Sequence, residues 1–172
     1  MIAFAARRLA ELRPPGSEVF LSESSVLVPI PSSRPFPPGE KDVLWIPKRI
    51  CEELVRFRMG GFVLPCLKRI ERVSKAAHST AEARPLPLQH FESLQVEGAL
   101  TPGRITLVDD VITQGSTALA AASLLAERFP DCQVGVVALL RARGLVEDID
   151  QILDPVSGWV RYENGRAWRD QP

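Results

Sequence analysis

The sequence predicts an α/β fold built on a parallel sheet. Three stretches carry that expectation. Arg104–Val108 is an apolar strand, Ser116–Phe129 (STALAAASLLAERF) has strong helix propensity with one apolar face, and Gln133–Leu140 (QVGVVALL) is a second buried strand. Strand, turn, helix and strand within about 35 residues form a βαβ unit, and such a crossover joins parallel neighbours.

The remaining elements follow in chain order. Ile2, Phe4, Ala5, Leu9 and Leu12 are spaced as on a short amphipathic helix, which stops before Pro14-Pro15-Gly16. Ser25–Ile30 (SVLVPI) reads as a buried strand running into PSSRPFPPGEKD, where prolines forbid a helix. Pro47 suits the first turn of a helix through KRICEELVRFRM, with Ile50, Leu54 and Phe57 on one face and Gly60-Gly61 as its end. Phe62–Leu67 (FVLPCL) is a further strand, weakened by Pro65. Residues 68–92 are polar and mixed in period, and read as a long excursion with at most a short helix and a hairpin arm. Ser93–Glu97 is a short strand and Pro102-Gly103 a turn. The tail carries a hairpin signal, WVRYE-NG-RAW, with Asn164-Gly165 as its turn.

Composition narrows the function classes. With 172 residues and 45% hydrophobic content, one domain over 1–172 is expected, with its core at about 25–145 and a tail at 146–172. Lys+Arg and Asp+Glu are both 21, so recognition of nucleic acid or membrane by bulk charge is disfavoured. Cys51, Cys66 and Cys132 are far apart and read as buried thiols of a reducing cytosol, not as a disulfide framework or a zinc site. No apolar stretch is long enough to span a bilayer or act as a signal peptide, so a cytoplasmic protein is expected.

The most informative stretch is LVDDVITQGST, residues 107–117. Asp109 and Asp110 are expected at the carboxyl end of a buried strand, where open α/β sheets bind ligands. Thr113–Thr117 would then be the strand-to-helix turn, its backbone N–H groups at the positive end of the following helix. Thr113, Ser116 and Thr117 add hydroxyls, and Gly115 permits a positive φ. These groups suit a phosphate, while the two acids suit neighbouring sugar hydroxyls, so a ribose 5-phosphate fits both. The plainer alternative is that the acids terminate a strand and Thr113 or Ser116 caps a helix.

LVDDVITQGST resembles the signature of the type I phosphoribosyltransferases: an apolar strand, two acids, two apolar residues, then Thr/Ala-x-Gly-x-Thr/Ser. Within that superfamily the chain looks most like the competence-protein-F-like phosphoribosyltransferases. VPIPSSR (28–34) looks like the family's first strand and pyrophosphate loop, and VALLRARG (137–144) like the strand and loop after the signature helix. The resemblance implies a type I phosphoribosyltransferase fold with a mobile arm over the site and a C-terminal hairpin. It implies transfer of phosphoribose from phosphoribosyl pyrophosphate, with Mg²⁺ as cofactor, to an unidentified and nitrogenous acceptor, releasing pyrophosphate. By position, Thr113, Gln114, Gly115, Ser116 and Thr117 would bind the 5-phosphate, and Asp109 and Asp110 the ribose hydroxyls and, through water, the metal. Ser32, Ser33 and Arg34 would contact the pyrophosphate.

The 68–92 excursion corresponds to the arm, which carries Lys68, Arg69, Arg72, Lys75 and Arg84. Lys75 is the first choice for a catalytic cation and Arg84 the second, for pyrophosphate. His78 and His90 could serve as ligand contacts, but read first as loop or packing residues. Arg141 and Arg143 are the acceptor candidates, and Trp159, Tyr162 and Trp168 either stack on a base or belong to a packed hairpin. The chain departs from the family in places. Thr113 stands where purine-specific members have a third acid, and neither an RGFNQ-like segment nor an N-terminal cysteine cluster is present. A non-catalytic sensor of phosphoribosyl pyrophosphate and an accessory protein of DNA uptake are the competing readings, direct DNA binding being disfavoured. A homodimer is compatible with each.

Overall fold

The computed structural model describes residues 2–14, 16–37, 44–73, 85–98, 103–142 and 156–170. The elements are α1 (Ile2–Leu12), α2 (Ser17–Phe20), β1 (Val26–Pro29), α3 (Ile46–Arg56), β2 (Phe62–Val63) and β3 (Leu67–Arg69). They continue with α4 (Pro87–Glu92), β4 (Leu94–Val96), β5 (Arg104–Ile112), α5 (Ser116–Arg128), β6 (Gln133–Arg141), β7 (Val160–Glu163) and β8 (Arg166–Arg169). A four-stranded sheet in the order β2-β1-β5-β6 is parallel throughout. The expected α/β class and the β5-α5-β6 crossover are therefore present.

Strand alternation divides the core between the sheet's two faces. Val26, Val28 and Ile30 join Ile105 and Leu107 against Ala118, Ala121 and Leu125 of α5. Leu27 and Val108 point the other way, toward Ile50, Cys51 and Leu54 of α3 and Ala6 of α1. Each fully buried Leu or Ile here contributes about 1.5–3 kcal/mol relative to exposure. Cys51 and Cys66 are buried free thiols, as expected, and burial pushes both thiol pKa values up; Cys132, expected buried with them, is only half-buried, since it follows the turn after α5.

Three boundaries differ from expectation. Phe62–Leu67 is not one strand. Only Phe62 and Val63 pair with β1, and after Pro65 the chain leaves the sheet to pair antiparallel, as β3, with β4. A proline has no N–H to give a ladder, so the strand divides there. Gly60-Gly61 does not terminate α3, which ends at Arg56 with Arg58 in the left-handed region at φ 60°. The glycines serve close approach instead: a Cβ on Gly60 would lie 2.5 Å from the Leu27 side chain, and one on Gly61 2.4 Å from the Glu23 carbonyl oxygen.

The third difference concerns the acids. β5 does not end at Val108; it runs to Ile112, so Asp109 and Asp110 lie inside the strand. Pairing with β6 explains this, because Asp109 is in register with Ala138 and Val111 with Leu140. The ladder carries the strand past the point where its side chains turn polar.

The excursion is built as expected at its stem. β3 and β4 form an antiparallel pair, a Lys68–Glu97 ion pair ties them at 2.5 Å, and α4 leads into β4. Lys75, His78 and Arg84, with Pro102 and Arg143, lie outside the described residues. The tail forms the expected hairpin: Asn164 and Gly165 both take positive φ (51° and 78°), which the two-residue turn requires. It is a separate two-stranded sheet packed against α5, with Ala167 buried. Among the described residues no helix is long and apolar enough to cross a membrane.

Candidate functional site

The carboxyl ends of β1, β5 and β6 lie along one edge of the sheet, and the candidate residues gather there. A small cleft open to solvent is lined by His90, Asp109, Val111, Ile112, Thr113, Gly115, Ser116, Thr117 and Ala118. Nearly all of the expected phosphate turn thus shares one cavity with the first of the two acids.

The turn enters α5 through a glycine and without a side-chain cap. Gly115 sits at φ 90°, the left-handed conformation that favours glycine, and is the residue before the first turn of α5. No side chain caps that turn. The alternative in which Thr113 or Ser116 serves as an ordinary helix cap is therefore not what the chain adopts. Instead Ser116, Thr117 and Ala118, the first turn of a 13-residue helix and its positive end, line the cleft. The first intrahelical bond runs from the Leu119 N–H to the Gly115 carbonyl at 2.8 Å. Gln114 is half-buried but does not line the cleft.

Strand alternation aims Asp109 to the α5 side with Ile105 and Leu107, and it lines the cleft; Asp110 does not. The Asp109 Oδ1 accepts the Asp110 backbone N–H at 2.9 Å, and Asp110 Oδ1 accepts that of Val111 at 2.9 Å. Burial pushes the Asp109 carboxyl well above the usual carboxylate range and the adjacent Asp110 carboxyl pushes it further, against the pull of the Arg69 guanidinium. Sequence spacing treats the two acids as equivalent, but their environments separate them.

Arg69 was expected as one of the arm's free cations. It is buried instead: its Nε donates to the Ser32 carbonyl at 3.1 Å and its Nη1 to the Ser93 hydroxyl. Burial draws its pKa down to about 10, with Asp109 opposing. One guanidinium thus ties the loop after β1, the β3–β4 stem and the Asp109 region together.

Ser32, Ser33 and Arg34 follow β1 at the same sheet edge, but do not line the cleft. The Ser32 hydroxyl donates to the Arg34 carbonyl at 2.7 Å, and Ser33 accepts the Val73 N–H at 2.9 Å. Trp45 holds this loop down, donating from Nε1 to the Ile30 carbonyl at 2.9 Å while its ring lies 5.0 Å from that of Phe36. Arg141 ends β6 opposite Ile112, at the correct edge for an acceptor contact but outside the cleft's walls.

Two further contributors stand at the cleft, one of them a histidine that the sequence left between a packing residue and a ligand contact. His90 is buried and lines the cleft, both ring nitrogens 3.4 Å from the Thr117 hydroxyl; desolvation, then Arg69, lowers its pKa to about 4. The C-terminal hairpin is the other. A Cβ on Gly115 would lie 2.7 Å from a Val160 methyl, so β7 packs directly on the turn. Arg169 donates to the Ile112 carbonyl at 3.1 Å and the Ala142 carbonyl at 2.8 Å, holding β8 to the ends of β5 and β6. Trp159, Tyr162 and Trp168 are exposed, and Trp168 pairs with Arg161 while Tyr162 pairs with Ala167, so Trp168 and Tyr162 lie on opposite faces of the hairpin. No family model and no curated protein matches this chain.

Proposed function

We propose that the chain is a type I phosphoribosyltransferase, closest to the competence-protein-F-like group. It would bind phosphoribosyl pyrophosphate with Mg²⁺ and transfer phosphoribose to a nitrogenous acceptor. The observation that carries this reading is the uncapped, glycine-entered turn Thr113–Thr117 opening on the same cleft as Asp109 at the carboxyl edge of a parallel sheet.

The chemistry needs little from the protein beyond placement and charge. Pyrophosphate leaves ribose C1 as the acceptor nitrogen arrives, and positive charge develops on the ring. The first-turn amides of α5 and the hydroxyls of Thr113, Ser116 and Thr117 would fix the 5-phosphate. Asp109 would accept the ribose hydroxyls, its carboxylate also lying on the side where the ring becomes cationic. Arg69 holds the Ser32–Arg34 loop in a defined position at the leaving-group side. The donors suit a hard cation: Asp109 and Asp110 offer carboxylate oxygens, and Mg²⁺ commonly takes one or two of these with waters and substrate phosphates. When bound, it would neutralise charge on the departing pyrophosphate. Lys75 and Arg84, outside the described residues, remain the proposed arm contacts, and Arg141 and Arg143 the proposed acceptor contacts.

Incubation with phosphoribosyl pyrophosphate, Mg²⁺ and a panel of nitrogenous bases should release pyrophosphate with at least one acceptor. The double substitution Asp109→Asn with Asp110→Asn should abolish both turnover and ribose 5-phosphate binding without unfolding the protein. Normal binding by the double variant would remove the acids from the site. Tight binding with no turnover on any acceptor would favour the sensing role instead.

A further inference from the structure

Among the described residues, two ionisable side chains from other elements line the cleft with the Thr113–Thr117 turn, Asp109 of β5 and His90 of α4. We propose that His90 is a contact of the phosphoryl group: it takes a proton from solvent as the dianion enters the cleft and donates a ring N–H to it. Anion binding and uptake of one proton then become a single event. The proposal rests on the reading of the cleft as a phosphate site, and adds to it a residue from the stem of the arm.

Geometry supports the assignment in three ways. His90 is 3% exposed, and what it lines is this cleft. Its polar partner there is the Thr117 hydroxyl, which lies 3.4 Å from Nδ1 and 3.4 Å from Nε2. Equal distances put the oxygen on the plane that bisects the two nitrogens, along neither nitrogen's hydrogen-bonding direction, so the ring's capacity is poorly used in the free protein. Thr117 is itself a member of the turn, so an anion held by that turn arrives beside the imidazole.

Desolvation by burial, and after it the surrounding charge, explains why the proton is absent beforehand. Arg69, from β3, is the cation acting on the ring. Asp109, from β5, shares the cleft, and α5 lines it only with Ser116, Thr117 and Ala118. The positive helix end and Arg69 both disfavour an imidazolium. A dianion reverses that field. The free form therefore holds a neutral ring and the bound form a charged one, which makes the cleft selective for doubly charged oxyanions over singly charged ones.

Sulfate is the cleanest probe, because its charge does not change between pH 5 and 8. Its affinity should rise at least tenfold from pH 7.5 to 5.5 in the wild-type protein, stay nearly level in His90→Gln, and keep its slope in Asp109→Asn. A slope that survives in His90→Gln but disappears in Asp109→Asn would move the proton to the carboxyl and overturn the proposal. The chain has two histidines, which allows a check that leaves His90 itself unchanged. At pH 6.5, saturating sulfate should shift one wild-type imidazole Cε1–H proton resonance to the imidazolium position, with His78→Gln assigning it to His90. An unmoved His90 resonance with bound sulfate overturns the proposal while leaving the phosphate site intact. Failure of both sulfate and ribose 5-phosphate to bind removes the site and the proposal together.

Discussion

Asp109 shows how much a residue's meaning depends on where its strand ends. Its neighbour Asp110 is identical in type, yet of the two only Asp109 lines the cleft. Its raised pKa has a definite consequence. The folded state holds this proton more tightly than the unfolded chain, whose carboxyl titrates near pH 4, so its contribution to stability falls as pH rises from about 4 through the folded value. Asp109→Asn should therefore gain about 1 kcal/mol at pH 7 while losing ribose 5-phosphate affinity, the usual exchange between stability and function at a site. Denaturant midpoints at pH 5 and 7 check it; a destabilised Asn variant would mean the carboxylate is stabilised by partners. His90 slopes the other way. Its folded pKa of about 4 lies below the unfolded value near 6.5, so its contribution grows as pH climbs through that window and is complete above it.

At the level of elements, the β5–α5 connection and the hairpin must be understood together. Gly115 is constrained twice, by φ 90° and by the Val160 methyl 2.7 Å from where a Cβ would sit. Gly115→Ala should cost about 1–3 kcal/mol and weaken anion binding. Adding Val160→Ala should recover part of that loss, since it removes the clash but not the φ penalty. A double variant no better than the single one in thermal unfolding would assign the whole cost to the backbone. Sequence identified the helix, the turn and the glycine because each depends on local propensity and spacing. It could not show β7 lying on Gly115, which joins residues 45 positions apart.

Across the whole molecule, the carboxyl edge of the sheet is assembled from distant segments. Arg69 bonds the β1 loop to the arm stem, and Arg169 bonds the C-terminal hairpin to the ends of β5 and β6. Arg169→Met keeps the apolar stem but deletes both donations to backbone carbonyls. It should destabilise the protein by about 1–3 kcal/mol and lower ribose 5-phosphate affinity, because the turn loses the hairpin behind it. Calorimetric binding beside a denaturation curve checks both. Unchanged affinity in a destabilised variant would make the hairpin a purely structural support.

Sequence by itself determined the α/β class, the βαβ unit, the amphipathic helices, the tail hairpin and the turn that faces the cleft. All of these follow from periodicity, propensity and turn chemistry, which act over a few residues. Tertiary structure decided that β5 continues through the two acids, that of these Asp109 lines the cleft, that Arg69 is buried as a tie, and that His90 lines the same cleft as the Thr113–Thr117 turn. Those outcomes come from ladder pairing and desolvation, which depend on which distant segment becomes a neighbour. No spacing along one chain encodes such a neighbour locally.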